Sequence, residues 1–313
     1  MWTILKLIEW TTEYFAKHSI PNPRLDAELL LSHVLNIRRI DLYLSFDKAV
    51  KENELALFKS FIQRRIKREP LQYIIGTQDF FGVPIKVTPE VLIPRPETEL
   101  LVEHILNIIN QCTNAPTHQR TILDLCTGSG CIIAALADKL PAANFIGIDI
   151  SEKALEIARQ NTEKWKDRIE LICGNLFEPL LKHENTKTRK YDLIISNPPY
   201  IREDEWAMLQ PEVRDYEPKN ALIAGADGLA IIREIIDNAH RFLEPAGLLA
   251  MEIGDGQADS VKKIISDDGH YDEANIIKDY GGVDRILIAL SLRLSAGSLE
   301  EEAQATKQSP VTS

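Results

Sequence analysis

The chain has 313 residues, 44% of them hydrophobic and 27% charged, a globular composition long enough for one large α/β domain and a small companion domain. Its formal net charge of −11 opposes phosphate backbones and weighs against nucleic acid as a partner, although a local basic patch can outweigh a net charge. No membrane-length apolar run and no basic-apolar-small leader is legible, which predicts a cytoplasmic protein; four cysteines without C-x-x-C and seven histidines without H-E-x-x-H predict free, mostly buried thiols and no metal.

Residues 1–75 carry helical spacing, first in Ile4, Leu7, Ile8 and Phe15, then in Ala27, Leu30, Leu31, Val34 and Leu35, then in Leu55, Phe58, Ile62 and Ile66. Pro21-Asn22-Pro23 separates the first two stretches. These stripes predict the core of a small all-α bundle. Arg64-Arg65 with Lys67-Arg68 is the best basic patch, and it reads as a cationic last turn set against a helix dipole rather than as a contact surface. Residues 76–95 form a linker with a short hairpin over Phe80 to Val87. Pro89 to Pro96 then leads into a helix carrying Leu101, Ile105 and Ile108, with Glu97 and Glu99 as acids of its first turn.

Over residues 96–292 strands near 121–126, 144–149, 169–173, 191–196 and 247–253 alternate with helices, including one at 227–243, as a parallel βα sheet requires. Thr121 to Leu125 reads as a buried strand, and Cys126-Thr127-Gly128-Ser129-Gly130 as a tight turn opening a helix near Ser129. Gly128 and Gly130 permit torsions and a close approach that a Cβ obstructs, the usual cradle for a nucleotide-like ligand. Asp149 ends the next strand about twenty residues on, the spacing at which a carboxylate accepts from ribose hydroxyls. The turn is not the full G-x-G-x-x-G, since Cys126 stands where a first glycine is expected, and no P-loop occurs.

The run Asp192 to Ser196 is followed at once by Asn197-Pro198-Pro199-Tyr200. Two prolines without N–H groups stop the ladder, and Asn197, preceding a proline, is pushed toward extended geometry. The Asn197 side chain and the Asn197 and Pro198 carbonyls then face away from the sheet as acceptors, with the Tyr200 ring to cover a planar group. The competing reading is an ordinary proline-capped strand end; the glycine turn and Asp149 weigh against it. Further on, Ala274 to Lys278 and Arg285 to Ala289 are two strands joined through a Gly-Gly turn, so one must run antiparallel. Residues 293–313 read as a disordered tail.

The order Asp-Leu-Cys-Thr-Gly-Ser-Gly at 124–130, Asp149, then Asn-Pro-Pro-Tyr at 197–200 resembles the class I S-adenosylmethionine-dependent methyltransferases. Among these, Asn-Pro-Pro-Tyr marks enzymes that methylate planar exocyclic or amide nitrogens. Leu92-Ile93-Pro94-Arg95-Pro96-Glu97-Thr98-Glu99, Pro211-Glu212-Val213 through Tyr216-Glu217-Pro218 to Ala221-Leu222, Asp227-Gly228-Leu229 and Asp279 to Arg285 narrow the likeness. They are similar to the peptide-chain release factor glutamine N5-methyltransferase family, over nearly the whole chain from Asp26 to about Leu290.

The resemblance implies a Rossmann-like sheet with a C-terminal antiparallel hairpin, S-adenosylmethionine as cofactor and peptide-chain release factors as protein substrate, docked with help from the helical domain. It implies cofactor contacts at Cys126, Thr127, Gly128, Ser129, Gly130, Asp149, Asn175, Leu176 and Asn197, and substrate contacts at Asn197, Pro198, Pro199 and Tyr200. The chain departs from many relatives at Cys126, where they carry glycine, and at Leu176, where some carry an aromatic residue beside the adenine. A glutamine side-chain nitrogen is a poor nucleophile, so the expected task of the site is orientation, with Asn197 Oδ1 and the Pro198 carbonyl each accepting one N–H and no general base assigned. Rival readings are a glutamine methyltransferase acting on a ribosomal protein, a nucleic-acid adenine N-methyltransferase, and a cofactor-binding scaffold without catalysis.

Overall fold

A computed structural model of the chain describes residues 1–111, 119–182 and 189–292. Cys112 and the tail expected over 293–313 lie outside the described residues. Two compact units emerge: one comprises Met1–Gln78, Lys86–Ile93 and Ala207–Pro218, the other Asp79–Ile85, Pro94–Trp206 and the chain from Lys219.

The helical unit holds the three expected helices at Ile4–Lys17, Pro23–Leu35 and Glu52–Arg65. Their apolar faces meet in a core that includes Ile4, Phe15, Leu30, Leu31 and Phe58. Two five-residue helices, Arg39–Tyr43 and Leu71–Ile75, are too short to show a period in the sequence. The segment Ala207–Pro218, far along the chain, joins this unit through a helix at Pro211–Tyr216. Its Glu212 accepts from Arg65 at 3.1 Å and from Arg68 at 2.7 Å, while Arg65 also donates to Asp26 at 2.7 Å. Arg64 and Arg65 do occupy a helix's last turn, but Arg65 is 5% exposed, so much of the basic run is spent on internal pairing. Tyr216 Oη donates to the Lys67 carbonyl and Glu217 accepts from the Ile93 N–H, so the Pro211-to-Pro218 motif clasps the helical unit.

After a two-stranded hairpin (β1 Thr77–Phe80, β2 Val83–Lys86), the second unit is built on seven strands: β3 Thr121–Leu125, β4 Asn144–Asp149, β5 Ile169–Cys173, β6 Tyr191–Ser196, β7 Leu243–Glu252, β8 Tyr271–Lys278 and β9 Asp284–Ser291. They lie in the order β5-β4-β3-β6-β7-β9-β8. The strands from β5 to β7 pair parallel, and β9 runs antiparallel to both β7 and β8. Near-continuous burial of β3, β4 and β6 fits a parallel sheet covered on both faces. The expected α/β class with a closing antiparallel hairpin is therefore what the chain adopts. Strand β7 starts at Leu243, earlier than expected, and the helix expected at 227–243 spans Ala230–Ala239, leaving Asp227-Gly228-Leu229 as its entry loop. The strand order reverses between β3 and β6, the switch point at which open α/β sheets offer a crevice beyond their carboxyl ends.

Candidate functional site

The two sequence signals converge at this switch point. Leu125 of β3 is in register with Ser196 of β6, and Ser196 Oγ donates to the Leu125 carbonyl at 2.7 Å, so Cys126 and Asn197 leave the sheet side by side. The first turn is held in left-handed torsions at Cys126 (φ 59°), Gly128 (φ 55°) and Gly130 (φ 74°). A Cβ built on Gly128 would meet nothing nearer than the Cys126 carbonyl at 3.9 Å, so the turn faces open space. Cys126 adopts a conformation that glycine takes freely and a side chain resists. The helix after the turn begins at Cys131, slightly later than expected.

Asp149, at the end of β4, accepts from the Gly128 N–H at 2.8 Å and from the Ser151 N–H at 2.9 Å. Burial pushes its carboxyl up, and these two backbone donors pull it back. Each oxygen retains lone-pair capacity for a further donor. Thr127 and Ser129 are both buried: Thr127 Oγ1 donates to Asp124, and the Ser129 carbonyl accepts from Asn161 at 2.8 Å. Beyond β5, the Asn175 carbonyl accepts from the Glu178 N–H, and Leu176 sits at φ 43° with its side chain in the core.

Asp124, which the sequence reading passed over, is fully buried on β3. Its Oδ2 accepts from Thr127 at 2.6 Å, while Oδ1 is buried without a hydrogen-bond partner in the structure. Burial and the nearby Asp149 charge push this carboxyl up to about 8, against the Thr127 hydrogen bond. A carboxyl oxygen without a partner at the base of an open glycine turn, beside Asp149 with acceptor capacity left on each oxygen, suits a hydroxyl-rich ligand, and the ribose of S-adenosylmethionine has that chemistry.

At the second turn Pro198 and Pro199 are buried and Asn197 and Tyr200 are half-buried. Asn197 Nδ2 donates to Thr98 Oγ1 at 2.9 Å, Thr98 Oγ1 donates to Glu252 Oε2 at 2.6 Å, and Tyr200 Oη donates to Glu252 Oε1 at 3.1 Å. Thr98 and Glu252 were not singled out from sequence; the two lie 154 positions apart, so no local spacing joins them. Glu97 and Glu99 belong to the first turn of the helix Pro96–Gln111 as expected, and Glu99 also accepts from the Phe81 N–H in the hairpin turn. Gln257 donates to the Tyr200 and Gly228 carbonyls and accepts from the Gly254 N–H. Gly228 is obligatory here, because a Cβ would lie 2.4 Å from the Tyr200 carbonyl oxygen. A cleft of about 760 Å³ opens beyond Tyr200 between Arg202, Asp227, Arg233, Gln257 and Lys263, and neither Asn197 nor the glycine turn lines it.

Among the described residues one group, His240, Asp268 and His270, brings histidine and carboxylate atoms within 4.8 Å of one another. The two imidazoles stack at 3.7 Å and 4°, which keeps their lone pairs in parallel planes instead of converging on one ion. The described cysteines are Cys126, Cys131 and Cys173, all free. Cys126 and Cys131 are half-buried and Cys173 is exposed, so the expectation of mostly buried thiols is not met among the described cysteines; Cys173 ends β5 where the strand reaches solvent. No helix among the described residues is long and apolar enough to cross a membrane.

Comparison with known proteins agrees with this architecture. Residues 6–76 match the PrmC N-terminal domain and residues 116–289 a methyltransferase domain. The chain is 44% identical to the release factor glutamine methyltransferase of Geobacter sulfurreducens, covering 92% of this chain and 96% of that one. It is 40% identical to the release factor glutamine methyltransferase of Rhodopirellula baltica, covering 91% and 95%. Among solved structures, the hMettl16 catalytic domain in complex with MAT2A 3'UTR hairpin 1 shares the fold with a TM-score of 0.54 at 17% identity, over 90% of this chain and 91% of that one.

Proposed function

Because this chain belongs to the release factor glutamine methyltransferase family, we propose that it transfers a methyl group from S-adenosylmethionine to the side-chain nitrogen (N5) of the glutamine in the Gly-Gly-Gln motif of peptide-chain release factors. The observation that carries this reading is the pairing of Leu125 with Ser196, which sets the glycine turn and Asn197-Pro198-Pro199-Tyr200 against each other at the switch point. When bound, S-adenosylmethionine would supply an electrophilic methyl carbon on its sulfonium and leave as the neutral thioether, and the methylated amide would return to neutrality by losing one of its two N–H protons to solvent.

The protein's own part is orientation. Asn197 Oδ1 and the Pro198 carbonyl each accept one N–H of the substrate amide, fixing the amide plane so that the nitrogen lone pair, perpendicular to it, faces the donor. Positive charge growing on the amide strengthens both contacts, and positioning of this kind contributes on the order of several kcal/mol. Pro199 and the Tyr200 ring wall the amide plane and exclude water. Cys126 to Gly130 approach the cofactor through their backbone, because the Thr127 and Ser129 side chains are already buried. Asp149 accepts from the ribose hydroxyls, and Asn175 and Leu176 border the adenine.

The helical unit docks the release factor; its Ile40, 60% exposed, and Leu44, 82% exposed, support an apolar contact. Modification of a translation factor places the work in the cytoplasm. The test is incubation with labelled S-adenosylmethionine and a purified release factor, with and without replacement of the Gly-Gly-Gln glutamine. Label is expected only on the unreplaced factor; label on both would reject the glutamine as acceptor.

A further inference from the structure

We infer that Thr98 and Glu252 are a positioning pair for the transfer: the Glu252 carboxylate takes the single Thr98 hydroxyl proton, and Thr98, left as an acceptor, holds Asn197 with its NH2 inward and Oδ1 toward the substrate. This deepens the reading proposed above and rests on it.

A threonine hydroxyl has one hydrogen to give. Glu252 Oε2 lies 2.6 Å from Thr98 Oγ1 and accepts from it, as Oε1 accepts from the Tyr200 hydroxyl, so the Thr98 proton points at Glu252. The remaining lone pairs of Oγ1 face Asn197 at 2.9 Å and can be met only by the donor end of its amide. A flipped amide would set Oδ1 against a hydroxyl oxygen with no hydrogen to offer. Thr98 and Glu252 are each 1% exposed, so water cannot repair such a mismatch.

The same carboxylate accepts from Tyr200 Oη through its other oxygen at 3.1 Å. Both ends of the 197–200 turn are thus tied to one buried group. Burial pushes the Glu252 carboxyl up, and the charge of Glu97 adds to this, while the Thr98 and Tyr200 hydrogen bonds and Arg285, which donates to the Ile253 carbonyl beside β7, pull it down. The hydrogen bonds from Asn197 to Thr98 and from Thr98 to Glu252 run in one direction, so each polarises the next. Asn197 Oδ1 becomes a stronger acceptor just where the substrate amide gains positive charge.

The test compares Thr98→Val, Thr98→Ser and Glu252→Gln with the wild type on an intact release factor. The readings are kcat, KM for the factor, the calorimetric Kd for S-adenosylmethionine and the melting temperature. Thr98→Val, close in shape, is expected to lower kcat by about tenfold or more, the scale of one well-placed hydrogen bond, with the cofactor Kd within about twofold. Thr98→Ser should recover most of the turnover, and Glu252→Gln should lose kcat while keeping cofactor affinity. A folded Thr98→Val with wild-type kcat overturns the pair, as does a loss that Thr98→Ser does not relieve. If Thr98→Val does not fold, Glu252→Gln decides: wild-type kcat overturns the pair, and a lower kcat at unchanged Kd supports it. Wild-type turnover separates the two ideas. Its absence on the release factor sinks the substrate reading, whereas its presence with an unaffected Thr98→Val sinks the pair.

Discussion

Asp124 holds a carboxylate oxygen in the core of a parallel sheet without a partner, and that has a measurable cost. Burial raises this carboxyl from 3.8 to about 8, so between those values it is neutral in the folded chain and ionised in the unfolded one. The folded state then binds more protons, and stability falls as pH rises through that window. Asp124→Asn should flatten this decline and raise the denaturation midpoint of the unliganded protein at pH 8 relative to pH 5, as read by urea unfolding. A parallel pH dependence in both proteins would assign the titration elsewhere. Asp149 behaves differently, since its two backbone donors keep part of its acceptor capacity directed at the turn. Asp149→Ala should weaken S-adenosylmethionine binding by about tenfold or more, the scale of hydrogen bonds to a charged group, and an unchanged calorimetric Kd would contradict the ribose assignment. The residues legible in sequence were those whose signal is local: Gly128 and Gly130 by torsion, Asp149 by distance from the turn, Asn197 by the prolines behind it. Asp124, Thr98 and Glu252 were not legible, because their meaning comes from partners on other strands and helices.

At the scale of elements, the strands followed from β-branched runs separated by helical stretches, and the closing hairpin from two strands too close for a crossover, whereas their order in the sheet was not legible. The helix expected from residue 227 starts only at Ala230, because the loop Asp227-Gly228-Leu229 is held by Gln257 from a distant part of the chain and by Arg233 of the helix itself. The segment Ala207–Pro218 hid its role in the same way. Glu212 pairs with Arg65 and Arg68, whose side chains are 6% and 24% exposed, so removing it leaves the buried Arg65 with Asp26 as its one carboxylate partner and takes the carboxylate from Arg68. Glu212→Ala is expected to destabilise the helical unit by about 1–3 kcal/mol, the scale of leaving part-buried donors without their acceptor. Limited proteolysis at rising temperature would check it, and an unaltered cleavage pattern would contradict the clasp.

For the whole molecule, a net charge of −11 leaves a phosphate backbone without a general attraction, and the exposed Ile40 and Leu44 are the residues proposed above to meet the release factor. The double substitution Ile40→Glu with Leu44→Glu should raise KM for the release factor while leaving the S-adenosylmethionine Kd unchanged. A wild-type KM would place docking on another face. Composition weighed against a phosphate backbone as partner, but no docking face was legible: a stripe of apolar residues at helical spacing does not say which members the fold leaves uncovered.

The central claim is that Asn197 and the Pro198 carbonyl hold the substrate amide by its two hydrogens. Single-turnover methyl transfer by Asn197→Ala at saturating S-adenosylmethionine tests it most directly, with the cofactor Kd measured by calorimetry on the same sample. The transfer rate is expected to fall by about a hundredfold or more, the scale of removing one preorganised contact to developing charge, with cofactor affinity reduced but measurable. Transfer at near the wild-type rate would contradict it.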